Sequence, residues 1–412
     1  MAISPKLCIK CKGKLLCGLS YCPILKKHSL QSKTVSNISG KEFTGSSPPS
    51  LFVSWKNYPK VQIAPLSPTE ITDSSLFDLP EEWFGLSQEK IVSFREQLFR
   101  SNRQITVTDA AKPSYELAEM QELVMTTKPT AIDVKLKSKP SYKLSFHESV
   151  APIGPSAPLI KMKLEDNPSI PKKIDYAVSD TDLKSGEALV RLYNAGFHVS
   201  RLYKLLSAGT LGIGKRRRLV PTRWSITATD SNISKELVEE KVKDFQQLSE
   251  FQLFHSNYLD NDFWVLLIPG SWAFEQLETW LPGGTWASEA NEATIIQDHE
   301  FYGGRKKYAS NVEGAYYSAR LAVAEHLLKR KRQAAAIVFR EIGKDYNIPL
   351  GVWQIRENVR NALTKKPLTF SSLSLSLAFL SRKMKIPVAR YKKKSRLLDF
   401  LQHQKRLSDF SP

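Results

Sequence analysis

Cysteine is missing from residues 23–412 of this chain. That excludes a disulfide-stapled fold and suits a reducing compartment. Acidic residues are scarce, 41 against 60 Lys and Arg, which leaves a formal net charge of +19. Such a balance argues for a polyanionic partner, most simply nucleic acid. No apolar run approaches the roughly 18 residues of a membrane-spanning helix. The longest, residues 263–269, has the length of a strand. The first residues do not read as a secretory signal, so the expectation is a cytoplasmic protein. No internal repeat, H-E-x-x-H, nucleophile elbow or paired-carboxylate signature is visible.

What cysteine there is lies together. Cys8, Cys11, Cys17 and Cys22 are spaced C-x2-C-x5-C-x4-C. Four thiolates this close fill the tetrahedral shell of zinc, so residues 1–30 read as a small four-cysteine zinc module. An iron–sulfur cluster is the alternative, because Cys22-Pro23 matches the Cys-Pro ending of ferredoxin runs, although the spacing does not. His28 is a possible replacement ligand, against the plainer reading of a surface histidine.

The pattern along the chain predicts an α+β protein, a mixed sheet with helices rather than a regular β-α-β repeat. Residues 31–50, rich in Ser, Lys, Thr and Gly, read as a linker, and 51–380 as the core. Strands are expected over 53–63, 134–137, 142–146, 251–255, 263–268 and 294–299. Helices are expected over 87–100, opened by Ser87, and over 114–127, 234–245, 274–280 and 352–363. A long helical stripe runs over 312–346 through Tyr316, Leu321, Leu327, Ile337 and Ile342. Residues 151–171 read as proline-rich loops. Within 181–207 two helices around Ala195-Gly196 outline a helix-turn-helix, with a basic hairpin after it as a wing. The competing reading is an αα-hairpin packed in a core.

Candidate chemistry lies in the basic clusters. Gly209 to Lys215 fits G-x4-G-K, but Arg216 stands where a phosphate-binding loop needs Ser or Thr, which argues against a nucleotide hydrolase. What remains is a glycine-rich turn carrying Lys215, Arg216, Arg217 and Arg218, with Arg223 beyond, suited to phosphate contact. Arg305, Lys306 and Lys307 form a second cluster beside Asp298, His299 and Glu300. An enzymatic reading makes one of the latter three an acid, base or metal ligand, with Arg305 on a phosphate. Against it, adjacent strand residues point to opposite faces and do not all converge.

Residues 381–412 form a basic tail. Its stretch from Arg390 through Lys392, Lys393 and Lys394 to Arg396 holds no acid, unlike a solvated helix face of mixed sign. The chain ends Gln404-Lys-Arg-Leu407-Ser-Asp-Phe410-Ser-Pro. This fits Q-x-x-h-x-x-a, the peptide that docks on sliding clamps. Gln404 anchors it by polar contact, and one helical turn presents Leu407 and Phe410 on one side for an apolar groove. Ser411 stands where a second aromatic is common.

On these strings the chain resembles the archaeal Nre family, which is associated with DNA repair. The resemblance rests on residues 7–13 and 16–24, on 212–225, on Tyr302-Gly-Gly-Arg-Lys-Lys-Tyr-Ala309, on Gly351-Val-Trp-Gln-Ile-Arg-Glu357 and on the clamp-binding-like end. It implies a role in the response to DNA damage and contact with the clamp PCNA. It supplies no agreed reaction, so the enzyme question stays open. The expectation is a clamp-tethered, DNA-binding repair factor. The alternatives are a nuclease or base-processing enzyme and an RNA-binding protein.

Overall fold

The computed structural model describes residues 11, 13–16, 22–38, 40–140, 153–165, 167–283, 292–346 and 348–403. It is an α+β structure with two mixed six-stranded sheets and twelve α-helices among the described residues. The chain divides into two compact units. Described residues up to 233, with 348–350, form the first, and the remainder the second. None of the described helices is long and apolar enough to cross a membrane.

The first unit opens with α1 (Pro23–Ser36) and β1 (Glu42–Ser47), both within the stretch expected to hold the end of a metal module and a linker. Two of its buried hydroxyls find backbone partners: Thr34 Oγ1 donates to the Leu30 carbonyl and Ser47 Oγ to the Pro48 carbonyl. Next come β2 (Leu51–Val53) and β3 (Lys60–Ser67), where one strand was expected, separated by a turn with Asn57 at φ +63°. Then α2 (Gln88–Glu96) starts at Ser87, whose side chain accepts the Lys90 amide. β4 (Phe99–Thr106), α3 (Tyr115–Met125), β5 (Thr130–Leu136) and β6 (Ser156–Leu164) complete the sheet, in the order β1-β5-β6-β4-β3-β2. β6 lies in the segment expected to be loop. Its Pro158 sits where the strand passes from parallel pairing with β4 to antiparallel pairing with β5, a break in the ladder that tolerates a missing N–H. The strand expected over 142–146 lies outside the described residues.

After α4 (Lys172–Ser179) come α5 (Ser185–Asn194) and α6 (Val199–Ser207). These are the two helices of the expected helix-turn-helix, and the structure corrects that reading. Eight of the nine residues of α6 are buried, Lys204 included. A helix covered this way cannot enter a DNA groove, so the αα-hairpin describes it. Nor is there a wing. Residues 223–226 belong to α7 (Thr222–Glu240), whose first turn is set by Pro221, its carbonyl accepting the Trp224 and Ser225 amides.

The second unit is built on β7 (Phe251–Tyr258), β8 (Asn261–Ile268), β9 (Ala273–Trp280), β10 (Thr294–Glu300) and β11 (Ala335–Ile342). The order is β10-β9-β11-β8-β7-β12, with β12 (Leu368–Phe370) at one edge and β10 at the other. β9 replaces the short amphipathic helix expected over 274–280. β11 replaces the second half of the long expected helix. That helix, α8 (Gly314–Arg330), stops at Lys331 in the left-handed region. α9 (Trp353–Thr364) packs beside α8 on one face of the sheet.

The opposite face is covered by α10 (Leu373–Ser381), α11 (Val388–Lys394) and α12 (Arg396–His403). Leu377, Leu380, Tyr391, Leu397 and Leu398 pack there against Leu266, Leu277, Ile337 and Phe339. The basic tail is therefore, up to residue 403, part of the folded unit. Two buried glutamates hold it. Glu275 on β9 accepts the amides of Arg396 (2.7 Å) and Leu397 (3.3 Å) and the Ser395 hydroxyl. Glu341 on β11 accepts the amides of Lys385 and Ile386, both at 2.9 Å, and the Tyr391 hydroxyl at 3.1 Å.

Burial raises Glu275 from 4.5 to about 7, and the hydrogen bonds it accepts only partly oppose this. The folded protein thus keeps a proton there that the unfolded chain releases as pH rises from about 4.5 to about 7. Stability should fall across that window by a group contribution on the order of 3 kcal/mol. Glu275→Gln removes the titration, so denaturant melts of this variant should show a shallower fall between those pH values than wild type. Parallel profiles would reject the assignment.

Candidate nucleic-acid interface

Strand β10 is the sheet edge along which the second unit builds a cleft. Alternation sends Asp298 and Glu300 to the α8–α9 face and His299 to the α11–α12 face, so the three do not converge. Asp298 is buried and pairs with Arg305 at 3.1 Å. Its other oxygen accepts the amides of Asn311 (2.9 Å) and Val312 (2.8 Å). Glu300 is buried against Arg320 (2.8 Å) and accepts the indole N–H of Trp272 (2.8 Å). Both carboxylates are neutralised in place, and their geometry braces the loop that follows the strand.

Arg305 completes that brace. It donates to Asp298 and to the carbonyls of His299, Lys307 and Tyr308, and its guanidinium lies over the Tyr316 ring. It is a loop-closing residue, while Lys306 and Lys307 stand exposed beside it. The same division appears in the first unit. Arg217 turns inward to the carbonyls of Gly212 and Val178, whereas Lys215, Arg216, Arg218 and Arg223 are exposed.

On the other side of β10, the exposed Lys392, Lys393, Lys394 and Arg396 face Ile295, Gln297 and Asn311 across a cleft of about 600 Å³. A second cleft shares Arg396 and Asp399 with it and reaches His299, Phe301, Phe400 and His403. A third shares Lys393 and Lys394 and reaches Arg390. Shared walls make these one groove along the sheet edge. Burial first, then the positive charge of Arg305 and Arg396, hold His299 below its ordinary value, as expected in a field that favours anions. Asp399 and Glu292 are the acids at its rim, near His403 and Arg390. Arg390 and Arg396, both in the acid-free run read from the sequence, belong to this groove, and so does the Phe301–Phe400 pair, centroids 5.0 Å apart, which the sequence reading missed. What was not legible is that β10 lies opposite that run.

At the N-terminus, Cys11 is buried and its Sγ accepts the Leu16 amide at 3.2 Å. Gly13 at φ +82° and Leu15 at φ +61° wrap the chain around the sulfur. Cys22 caps α1 immediately before Pro23. Cys8 and Cys17 lie outside the described residues, and no group of three or more His, Cys, Asp or Glu that would hold a metal occurs among the described ones. Gln404, Leu407 and Phe410 also lie outside them.

Fold and surface together define a basic α+β protein of two units, each presenting exposed cationic residues. Residues 16–287 match the family described as archaeal Nre, N-terminal, and residues 300–410 that described as archaeal Nre, C-terminal. DNA repair protein NreB of Archaeoglobus fulgidus is 37% identical over 95% of this chain and 96% of its own. DNA repair protein NreA of the same organism is 38% identical over 92% and 93%. DNA repair protein NreA of Haloferax volcanii is 34% identical over 91% and 90%. The chain belongs to the archaeal Nre family. No solved structure matches it significantly. The two family segments do not coincide with the two units, because β11 from the C-terminal segment lies between β8 and β9 from the N-terminal one.

Proposed function

We propose that this protein is a DNA repair factor that binds nucleic acid through its exposed basic residues and docks on the sliding clamp PCNA through residues 404–410. The observation that carries the DNA contact is the groove along β10, where Lys392, Lys393, Lys394 and Arg396 line one wall. Ammonium groups on a preformed wall attract phosphates without reading sequence. Exposed Lys306 and Lys307 in the same unit, and Lys215, Arg216, Arg218 and Arg223 in the other, would add phosphate contacts. The three relatives carry the name DNA repair protein, which agrees with this reading. The clamp contact rests on the Q-x-x-h-x-x-a string alone. Tethering would raise the local concentration at DNA without strong intrinsic affinity.

The N-terminal cysteines would hold zinc. The described part of that site fits such an ion: a buried sulfur accepting a backbone N–H inside a tight turn is the outer-shell pattern that orients a metal thiolate. Bound zinc would order the segment ahead of α1.

Three measurements test these proposals. Replacing Lys392, Lys393 and Lys394 together by Ala should weaken DNA binding at least tenfold and lower the slope of log K against log salt by about 2–3. An unchanged slope would remove the groove from the contact. Calorimetry with the cognate clamp should show binding by full-length protein and none by Phe410→Ala. Equal binding by both would dismiss the peptide. Elemental analysis of Cys11→Ser should find the zinc content of the wild type lost, and full occupancy would refute the ligand set.

A further inference from the structure

The first unit exposes a cluster of large aromatic rings. Trp55, Tyr58 and Trp224 are 50%, 49% and 46% exposed. Trp55 and Tyr58 sit in the turn between β2 and β3, and Trp224 in the first turn of α7. The Tyr58 and Trp224 rings meet with centroids 5.3 Å apart and planes inclined at 52°.

The backbone beneath them is fixed. Lys60 N–H donates to the Asn57 carbonyl at 2.9 Å, which closes the turn. The Val53 amide donates to Thr222 Oγ1 at 2.9 Å, which ties the hairpin to the start of α7. Val107 N–H donates to the Pro59 carbonyl at 3.0 Å, and the Val107 carbonyl accepts the Leu219 amide at 2.9 Å. The last bond brings the basic loop 215–218 beside the same turn. The platform is therefore preformed and needs little ordering on binding.

Its surroundings are mainly cationic, with the exposed Asp109, which accepts the Thr106 amide opposite Lys60, as a nearby acid. Lys56, Lys60, Arg216, Arg218 and Arg223 are exposed, and neither 54–60 nor 215–225 contains Asp or Glu. Clustered apolar rings left in water mark a contact surface. A positive rim selects a polyanion, and flat ring faces select flat partners. In a duplex the base faces are already stacked on each other. In an unpaired strand they are free.

We propose that Trp55, Tyr58 and Trp224 form a stacking platform for unpaired nucleotides of single-stranded DNA, with the basic rim on its phosphates. The proposal rests on the nucleic-acid reading above and names its substrate class. It assigns the platform to strands opened, gapped or overhanging rather than to intact duplex.

The test is fluorescence-polarisation binding of full-length protein to a labelled single strand of about 15 nucleotides, compared with a blunt duplex of the same sequence. Trp55→Ala, Tyr58→Ala and Trp224→Ala should each weaken single-strand binding about tenfold and duplex binding less than twofold. Trp224→Phe should recover most of the loss, because the ring face remains. Thermal melts should match wild type, since the rings are half exposed. Equal losses on both ligands, or none on either, would overturn the proposal. In the second case, weakened binding by the triple lysine variant would leave the wider nucleic-acid reading standing. Absence of binding to either ligand by wild type would overturn both and hand the platform to a protein partner.

Discussion

Strand β9 carries a carboxylate on each side, and the second unit depends on how those charges are met. Glu278 faces α8 and α9, where Arg340 reaches it at 2.8 Å and is held in turn by Asn261. Gln276 donates to the same carboxylate. Glu275 faces the other way and caps α12. An ionised side chain taken out of water is costly unless paired or hydrogen-bonded, so each of these groups constrains its partner tightly. The apolar core could tolerate a sliding helix. A buried carboxylate holding two amides and a hydroxyl cannot.

This constraint turns a basic chain end into a surface. Lys392, Lys393 and Lys394 repel one another, and in a free tail they would spread apart. Here Tyr391, fully buried before them, and Ser395, buried after them, lock both ends of the run to the sheet. The lysines are left pointing outward over β10. The cationic groove is thus a consequence of two buried glutamate side chains placed beneath it, whose hydrogen bonds fix where the surface charge sits.

The same polarity explains what was and was not legible in the sequence. Helices with caps and apolar faces were readable: Ser87 opens α2, Ser114 opens α3, and 352–363 lies within one residue of α9. The hairpin of β7 and β8 was readable from its apolar strands, which run on to a tight turn at Leu259-Asp260. β9 was not, because Glu275, Gln276, Glu278 and Thr279 look like the wet face of a helix while all are buried. β11 was not, because a strand covered on both faces loses its period of two, and Ile337, Val338 and Ile342 then continue a helical stripe by accident. The exposed basic residues were legible as clusters. Which arginines work inside the fold, as Arg217 and Arg305 do, depends on carbonyls that only folding brings within reach.

Asp298 and Glu300 show why a dense polar string is a weak guide to catalysis. A general acid or base needs a group whose proton is poised and whose path to substrate is open. Both carboxylates instead have their lone pairs directed at arginines, amides or an indole, at 2.8–3.1 Å. Each is paired with an arginine beside it, and neither faces the groove that runs along their own strand. The groove is lined instead by lysines, arginines, histidines and phenylalanines, together with Ile295, Gln297, Asn311 and Asp399. Of the acids of β10, Asp298 holds the loop that follows the strand, through Arg305 and the amides of Asn311 and Val312.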